Sequence, residues 1–352
     1  MKQKLINQFL KLITYFKNLI NDKKVIIIYE NFNWSIKDDV NEITYHLKNN
    51  DLEKSPFSFG IFNKTVHLAS FNLAFRKNKL NLPHSSNKII ITIFHLTEYN
   101  PQYKYIPILD KKIFLWHTSC NITKHQLIKF GATPKKIKLI PLGVNLNKFY
   151  PIKTSNWLRD KYSIDSKTII IGSFQKDGIG WNLGNIPKSE KGPELLCDLL
   201  ISLSKKIKIF VLLSGPARGY VKDRLKKNNI DFHHEYFKNT ESLNNFYDVI
   251  DFYFITSKVE GGPKQLLESF ATKTPVFSTR VGMANDIVID SINGFIIENK
   301  LIKINIDEVV NKMKNNKLIK SVTNNAYNQV NEFEWKKIAK KYLKEIYDQN
   351  HL

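Results

Sequence analysis

Short runs of β-branched and aromatic residues recur along this chain, and most are followed by a segment with helical spacing. The runs lie at residues 25–29, 88–94, 112–116 and 137–140, and again at 168–172, 207–213, 249–255, 276–278 and 295–297. Several are apolar at every position, so both faces of those strands must be covered. Between them lie helical patterns at 36–48, 120–130, 193–205, 220–227, 241–247 and 263–272. Strands that alternate with helices build parallel sheets with helices on both faces.

The alternation is interrupted once. Residues 141–151, PLGVNLNKFYP, are rich in turn formers and break the periodicity. The break predicts two Rossmann-like α/β domains with a cleft between them. Residues 1–150 form the first, 151–330 the second, and 331–352 a closing helix with Trp335, Ile338, Tyr342 and Ile346 at helical spacing. At 352 residues the chain has room for both cores.

Composition removes several classes. The net charge of +22 invites a nucleic-acid partner, but the basic residues are almost all lysine, spread through every segment, with arginine only at 76, 159, 218, 224 and 280. A nucleic-acid surface concentrates arginine and aromatics on one face, so no nucleic acid is expected. Cys120 and Cys197 lie far apart without metal-ligand spacing, which fits a reducing, cytoplasmic setting. No leader peptide and no membrane-spanning run is read. Residues 1–21 have the pattern of a basic amphipathic helix, with Phe9, Leu12, Ile13 and Phe16 in helical register and no acid before Asp22. It either docks on its own domain or lies at an anionic membrane surface, and both readings stay open.

The chemistry concentrates in residues 251–282, DFYFITSKVEGGPKQLLESFATKTPVFSTRVG. A strand runs out at Ser257, then Glu260, Gly261, Gly262 and Pro263 lead into a helix, with Pro263 suited to its first position. Glycines ahead of a helix N-terminus let the backbone approach a ligand, and the free amides favour an anion such as a diphosphate. Glu260 and Glu268 have seven residues between them. Eight helical steps span roughly 12 Å, too far for a hydrolytic carboxylate pair. Two separate grips on one long ligand suit that spacing better.

This segment resembles the donor-site motif of family-4 retaining glycosyltransferases of the GT-B fold, carried by Ser257, Glu260, Gly261, Gly262, Glu268, Ala271, Pro275 and Gly282. Asn293 and Gly294 match the family's closing turn, and PLGVNLNKFYP resembles its linker, with Leu142 and Asn145 in place of the usual Asn and Asp. The resemblance implies that Glu268 binds the donor ribose, that Glu260 faces the donor sugar, and that the amides near residues 261–264, the stretch of Gly261, Gly262, Pro263 and Lys264, meet sugar and phosphate. It implies a diphosphate clamp from a basic residue after the strand at 168–172, here Lys176, and from a Lys-Gly pair, here Lys191 and Gly192. An enlarged loop, GIGWNLGNIPKS, separates the two. Backbone groups around residues 233–238 are implied to hold the base.

The first domain matches less well. The family's glycine-rich loop after the first strand reads ENFNWS here, which leaves Trp34 for an acceptor. His95, at the end of ITIFH, matches a family histidine near the reacting centre and ranks above His117. Retaining, metal-independent transfer from a UDP- or GDP-linked sugar to a glycan or lipid-linked acceptor is the implied activity, in surface polysaccharide or glycoconjugate synthesis and without a cofactor. The alternatives are a sugar-nucleotide epimerase or phosphorylase of the same fold, and a non-catalytic basic binder of anionic membrane or nucleic acid.

Overall fold

The computed structural model describes residues 2–30, 35–97, 99–152, 156–237, 242–298 and 304–348, with side chains from residue 9 onward. The chain divides into two compact units, Met1–Gly143 together with Trp335–Leu352, and Val144–Glu334.

The first unit opens with helix α1 (Lys2–Ile20), then β1 (Val25–Ile28), α2 (Ser35–His46), β2 (Leu52–Ser55) and β3 (Thr65–Leu68). A two-residue hairpin follows, β4 (Phe75–Arg76) with β5 (Lys79–Leu80), then β6 (Lys88–Thr92), α3 (Ile106–Asp110), β7 (Leu115–Thr118), α4 (Asn121–Lys129) and β8 (Ile137–Leu139). Six strands pair in the order β2-β1-β3-β6-β7-β8, all parallel. The VIII run of β1 shows why both faces had to be covered. Ile26 and Ile28 pack with Leu68, Ile91 and Trp116 on one side, while Val25 and Ile27 pack with Val40 and Ile43 of α2 on the other. The strand expected at 112–116 runs instead from Leu115 to Thr118, because Lys112 and Ile113 close the turn after α3 by donating to Leu109 O.

The second unit runs α5 (Trp157–Tyr162), β9 (Ile169–Phe174), α6 (Pro193–Ser204), β10 (Ile209–Ser214), α7 (Gly219–Lys227), β11 (Phe232–Glu235), α8 (Leu243–Val249) and β12 (Phe252–Ile255). After these come α9 (Lys264–Ala271), β13 (Val276–Thr279), α10 (Gly282–Ile287), β14 (Phe295–Ile297), α11 (Ile306–Lys314) and α12 (Asn316–Val330). Its parallel sheet has the order β11-β10-β9-β12-β13-β14. Numbered within the unit this is 3-2-1-4-5-6, the doubly wound dinucleotide-binding order, whose direction reverses between β9 and β12. Each half of that order is covered by helices, α6, α7, α11 and α12 closing over Val211, Phe254, Phe277 and Phe295.

The linker expected at 141–151 is shorter in fact. Val144 N donates to Phe333 O at 2.8 Å, and Asn244 bonds both backbone groups of Tyr150, so residues 144–150 already belong to the second unit. The final helix α13 (Trp335–Tyr342), continued by a wider turn over Leu343–Tyr347, lies in the first unit. Trp335, Ile338 and Tyr342 pack with Val25, Ile27 and Leu115. Gly143 lies so close to the Trp335 indole that a Cβ there would come within 2.5 Å of it.

A buried polar chain ties this segment to the sheet. Tyr347 OH meets His67 Nδ1 at 2.6 Å, His67 Nε2 meets Thr92 Oγ1 at 2.7 Å, and Thr92 Oγ1 meets His117 Nδ1 at 2.9 Å. His117 Nε2 lies 3.1 Å from Ile140 O. Tyr342 OH also lies 3.1 Å from His117 Nε2; with that nitrogen donating to Ile140 O, which can only accept, Thr92 donates to His117, His67 donates from Nε2, and Tyr347 donates to His67. Both imidazoles are then neutral. Burial holds His67 well below the usual range and lowers His117 to about 4. A lowered histidine contributes stability above the unfolded value near 6.5, and that stability is lost as pH falls toward about 4. We expect the His117 imidazole resonances to keep their neutral shifts down to about pH 4. Unfolding measured at pH 7.5 and at pH 5.5 should differ by roughly 1 kcal/mol from His117, with His67 adding in the same direction. An imidazole titrating near 6.5 would contradict the assignment.

Candidate functional site

The second unit's sheet reverses direction at β9 and β12, and a crevice beyond the carboxyl ends of such strands is where this topology binds ligands. Three of the residues singled out from the sequence, Lys191, Ser257 and Glu260, meet there. β9 ends at Phe174 and is followed by Gln175 and Lys176, and β12 ends at Ile255 and is followed by Thr256 and Ser257.

Lys191 and Glu260, expected to do separate jobs, are brought together. The Lys191 ammonium makes an ion pair with Glu260 Oε1, and Ser257 Oγ donates to the same carboxylate oxygen at 3.1 Å. Gln175 joins the cluster, its Nε2 donating to Lys191 O at 3.2 Å. Both charged side chains are partly exposed, 25% for Lys191 and 13% for Glu260, so the pair faces a solvent-reachable surface.

Local backbone geometry explains the meeting. Lys191 ends a short turn, and Gly192 then takes the left-handed conformation at φ 60° to cap α6 ahead of Pro193. A Cβ on Gly192 would lie 1.9 Å from Thr256 O, so the absence of a side chain lets this turn press against the end of β12. Lys258 N and Val259 N both donate to Glu190 O, which fixes the loop before Glu260 against the same turn. Replacing Gly192 with alanine is expected to cost about 1–3 kcal/mol. Thermal unfolding reads that loss, and an unchanged melting temperature would show that the turn yields.

Behind the loop, Gly282 at φ 47° packs on the Gly261 carbonyl, and Met283 N donates to Gly261 O at 3.0 Å. Thr279 Oγ1 donates to Ser257 O. The glycines at 261 and 262 therefore sit in a loop that is held from below. Pro263 does not occupy the first helical position expected for it. It caps the helix with extended backbone at ψ 108°, and α9 begins at Lys264. Gln265 reaches from α9 to Phe174 O at 2.9 Å and ties the helix start to the end of β9.

Glu268 lies on the second turn of α9 and is partly buried. Tyr247 OH donates to its Oε2 at 2.7 Å. Burial and the Glu268 charge push the Tyr247 phenol well above its usual range, so it stays a donor. This orienting tyrosine was not found in the sequence, where it reads as one more apolar position of α8.

Arg218 was also missed. It is 1% exposed and donates to Ser173 O, Gln175 O and Ser214 O, which ties the carboxyl ends of β9 and β10 together. Its Nε lies 3.1 Å from Asp177 Oδ1, and burial raises the Asp177 carboxyl against the pull of this arginine. Asp177 directly precedes the enlarged loop. Gly184 packs on Ala217, and Gly219 N and Tyr220 N donate to Leu183 O and Gly184 O, so the loop is anchored along its length.

The remaining candidates make other contacts or lie outside the described residues. Lys176 sits with its ammonium 3.9 Å from the Trp181 ring centroid. Near the implied base site, β11 carries His233 and His234, the latter with Nε2 2.8 Å from Gly215 O, and Lys238 lies outside the described residues. In the first unit, β6 stops at Thr92, so His95 lies three residues past its strand, exposed, with its carbonyl accepting from Tyr103 OH. His117 belongs to the buried chain described above. Trp34 lies outside the described residues. Among the described residues no group of three or more His, Cys, Asp or Glu side chains is placed to hold a metal ion.

Comparison with known proteins meets the same segment. Residues 171–329 match the family described as glycosyl transferases group 1. Two Methanocaldococcus jannaschii proteins, both called uncharacterized glycosyltransferases, are similar to the chain. MJ1069 is 24% identical over 228 residues, covering 63% of this chain and 55% of its own length. MJ1178 is 28% identical over 149 residues, covering 41% and 42%. The chain thus spans about half the length of the curated relatives it matches. Among solved structures, Alr3699/HepE of Anabaena, in complex with UDP and glucose, superposes with a TM-score of 0.70 at 12% identity, covering 92% of this chain and 98% of that one. A glycosyltransferase from Rickettsia africae does so at 0.68 and 18%, covering 93% and 98%. These likenesses show the fold: two Rossmann-like domains of the GT-B type. Family match, relatives and fold together support a glycosyltransferase.

Proposed function

We propose that the protein is a retaining, metal-independent glycosyltransferase that moves a sugar from a UDP- or GDP-linked donor to a glycan or lipid-linked acceptor, in the synthesis of surface polysaccharide or glycoconjugate. The observation that carries this reading is the Lys191–Glu260–Ser257 cluster at the sheet's reversal point, with the start of α9 beside it and Glu268 one further turn along. In this reading Glu268, oriented by Tyr247, takes the ribose diol. The amides around residues 261–264 and the Lys191 ammonium meet the diphosphate, and Glu260 accepts from hydroxyls of the donor sugar while holding Lys191 in place.

Transfer breaks the bond from the anomeric carbon to the diphosphate oxygen. The acceptor hydroxyl oxygen bonds to that carbon on the same face, and its proton passes to the departing diphosphate. Lys191 and the helix start stabilise the charge that grows on the leaving group. HepE's complexes with UDP and with UDP-glucose support a nucleotide-sugar donor.

Titration calorimetry with UDP and GDP tests the donor side. The unmodified protein should bind one of them, and Glu268→Ala should bind it about tenfold or more weakly, the ribose hydrogen bonds to a charged group being worth roughly 1.5–3 kcal/mol. Tyr247→Phe should fall between the two. Equal affinity in all three proteins would remove Glu268 from the donor site.

A further inference from the structure

Helix α1 is built inside out. A surface helix of a soluble domain turns its apolar stripe inward and its polar side to water. Here the inward side is polar. Asn18 is 3% exposed, and its amide donates to Phe57 O and Phe59 O at 2.9 and 2.8 Å. Asn21 donates to Glu53, which also pairs with Lys17, and the Gly60 backbone lies directly against Tyr15 O. The outward side carries Phe9, Leu12, Ile13, Phe16 and Ile20, at helical spacing and each at least 48% exposed.

That stripe does not end with the helix. Leu12 borders a shallow hollow of about 630 Å³ whose other wall includes Phe59, Phe62, Leu82 and Pro83. Phe59 and Phe62 are themselves 41% exposed. A single water-facing apolar surface therefore joins α1 to the loops beside it. No acid occurs in α1, and its charges are Lys2, Lys4, Lys11 and Lys17. No helix of the described residues is long and apolar enough to cross a membrane.

We propose that α1 and the adjoining Phe59–Phe62 surface form a membrane-docking face that lies on an anionic bilayer. The helix rests in the plane of the interface, with Phe9, Leu12, Ile13 and Phe16 among the acyl chains and the lysines at the level of the headgroups. The charge balance selects this occupant. A second copy of the chain would bring its own lysines against these, whereas anionic lipid supplies the missing negative charge. Asn18 and Asn21 hold the helix to the first unit, so docking places the whole unit on the surface without unfolding α1. The proposal stands independently of the transfer chemistry.

Co-sedimentation of the full chain with phosphatidylcholine vesicles, with and without phosphatidylglycerol, tests it. Binding should require phosphatidylglycerol, weaken with added salt, and fall about tenfold or more in Phe9→Ser/Phe16→Ser. The melting temperature of that variant should be unchanged, since both rings already face water. Undiminished binding by the variant would overturn the proposal. So would indifference of the unmodified protein to both vesicle types, or a concentration-dependent rise in its sedimentation coefficient that the double substitution abolishes, which would assign the face to self-association.

Discussion

Replacing Arg218 with methionine is expected to destabilise the second unit by about 3–5 kcal/mol, the usual effect of stripping one member from a buried ion pair. The pair is fully enclosed, with side-chain exposures of 0% for Arg218 and 1% for Asp177. Methionine fills much of the volume but leaves Asp177 charged and unmatched in a low dielectric. It also removes the donors that serve Ser173 O, Gln175 O and Ser214 O at the ends of β9 and β10. Substituting Asp177→Leu together with Arg218→Met should recover part of the loss, because no uncompensated charge then remains. Urea unfolding of the three proteins measures this. A loss below about 1 kcal/mol in the single variant would mean that water or a shifted side chain satisfies Asp177, and the view of Arg218 as the pin beneath the site would fall.

The second large effect is expected at Lys191. Its substitution by alanine should lower turnover with donor and acceptor by about 10²- to 10³-fold, the size usual for loss of one preorganised group at developing charge. Stability should change little, since the side chain is partly exposed and its partner Glu260 keeps the Ser257 hydrogen bond. Lys191→Arg preserves the charge but brings a planar head where a compact ammonium sits, so it should restore activity only in part. Steady-state rates of released nucleoside diphosphate supply the numbers. Wild-type turnover in Lys191→Ala would show that the diphosphate is stabilised elsewhere, with the amides around residues 261–264 as the next place to look. Donor consumed at the same rate without acceptor would point to hydrolysis or epimerisation instead of transfer.

What the residues revealed in advance followed from burial. Strands such as Val25–Ile28, Lys88–Thr92 and Phe252–Ile255 are apolar enough on both faces to be read directly. The strands β2, β3 and β11 read LEKS, TVHL and FHHE, and nothing in four mixed residues separates them from loop. β2 and β11 are edge strands with a partly exposed pattern, and β3 is buried only because His67 finds hydrogen-bond partners in Thr92 and the distant Tyr347. The site divides the same way. Lys191, Glu260 and Glu268 stand in a spaced motif with glycines and helix starts around them. Arg218 is one basic residue among 54, and Tyr247 is one aromatic on a short helix, so their roles exist only once distant segments meet. The single local hint for Arg218 was its place in SGPAR, a small-residue turn directly after a strand.

The division of the chain into Met1–Gly143 with Trp335–Leu352 around Val144–Glu334 has a consequence for the order of events on the ribosome. Nascent chains usually fold domain by domain from the amino end. Here the unit begun by residues 1–143 cannot close its core until residues beyond Glu334 are made, because Trp335, Ile338 and Tyr342 fill one face of its sheet and Tyr347 completes the histidine chain. The inserted unit has its own uninterrupted sheet and is finished earlier. During synthesis the Val144–Glu334 unit is therefore complete while residues 1–143 still wait for the segment that follows it. A stop codon after Glu334 would leave the core of residues 1–143 open and the Val144–Glu334 unit intact.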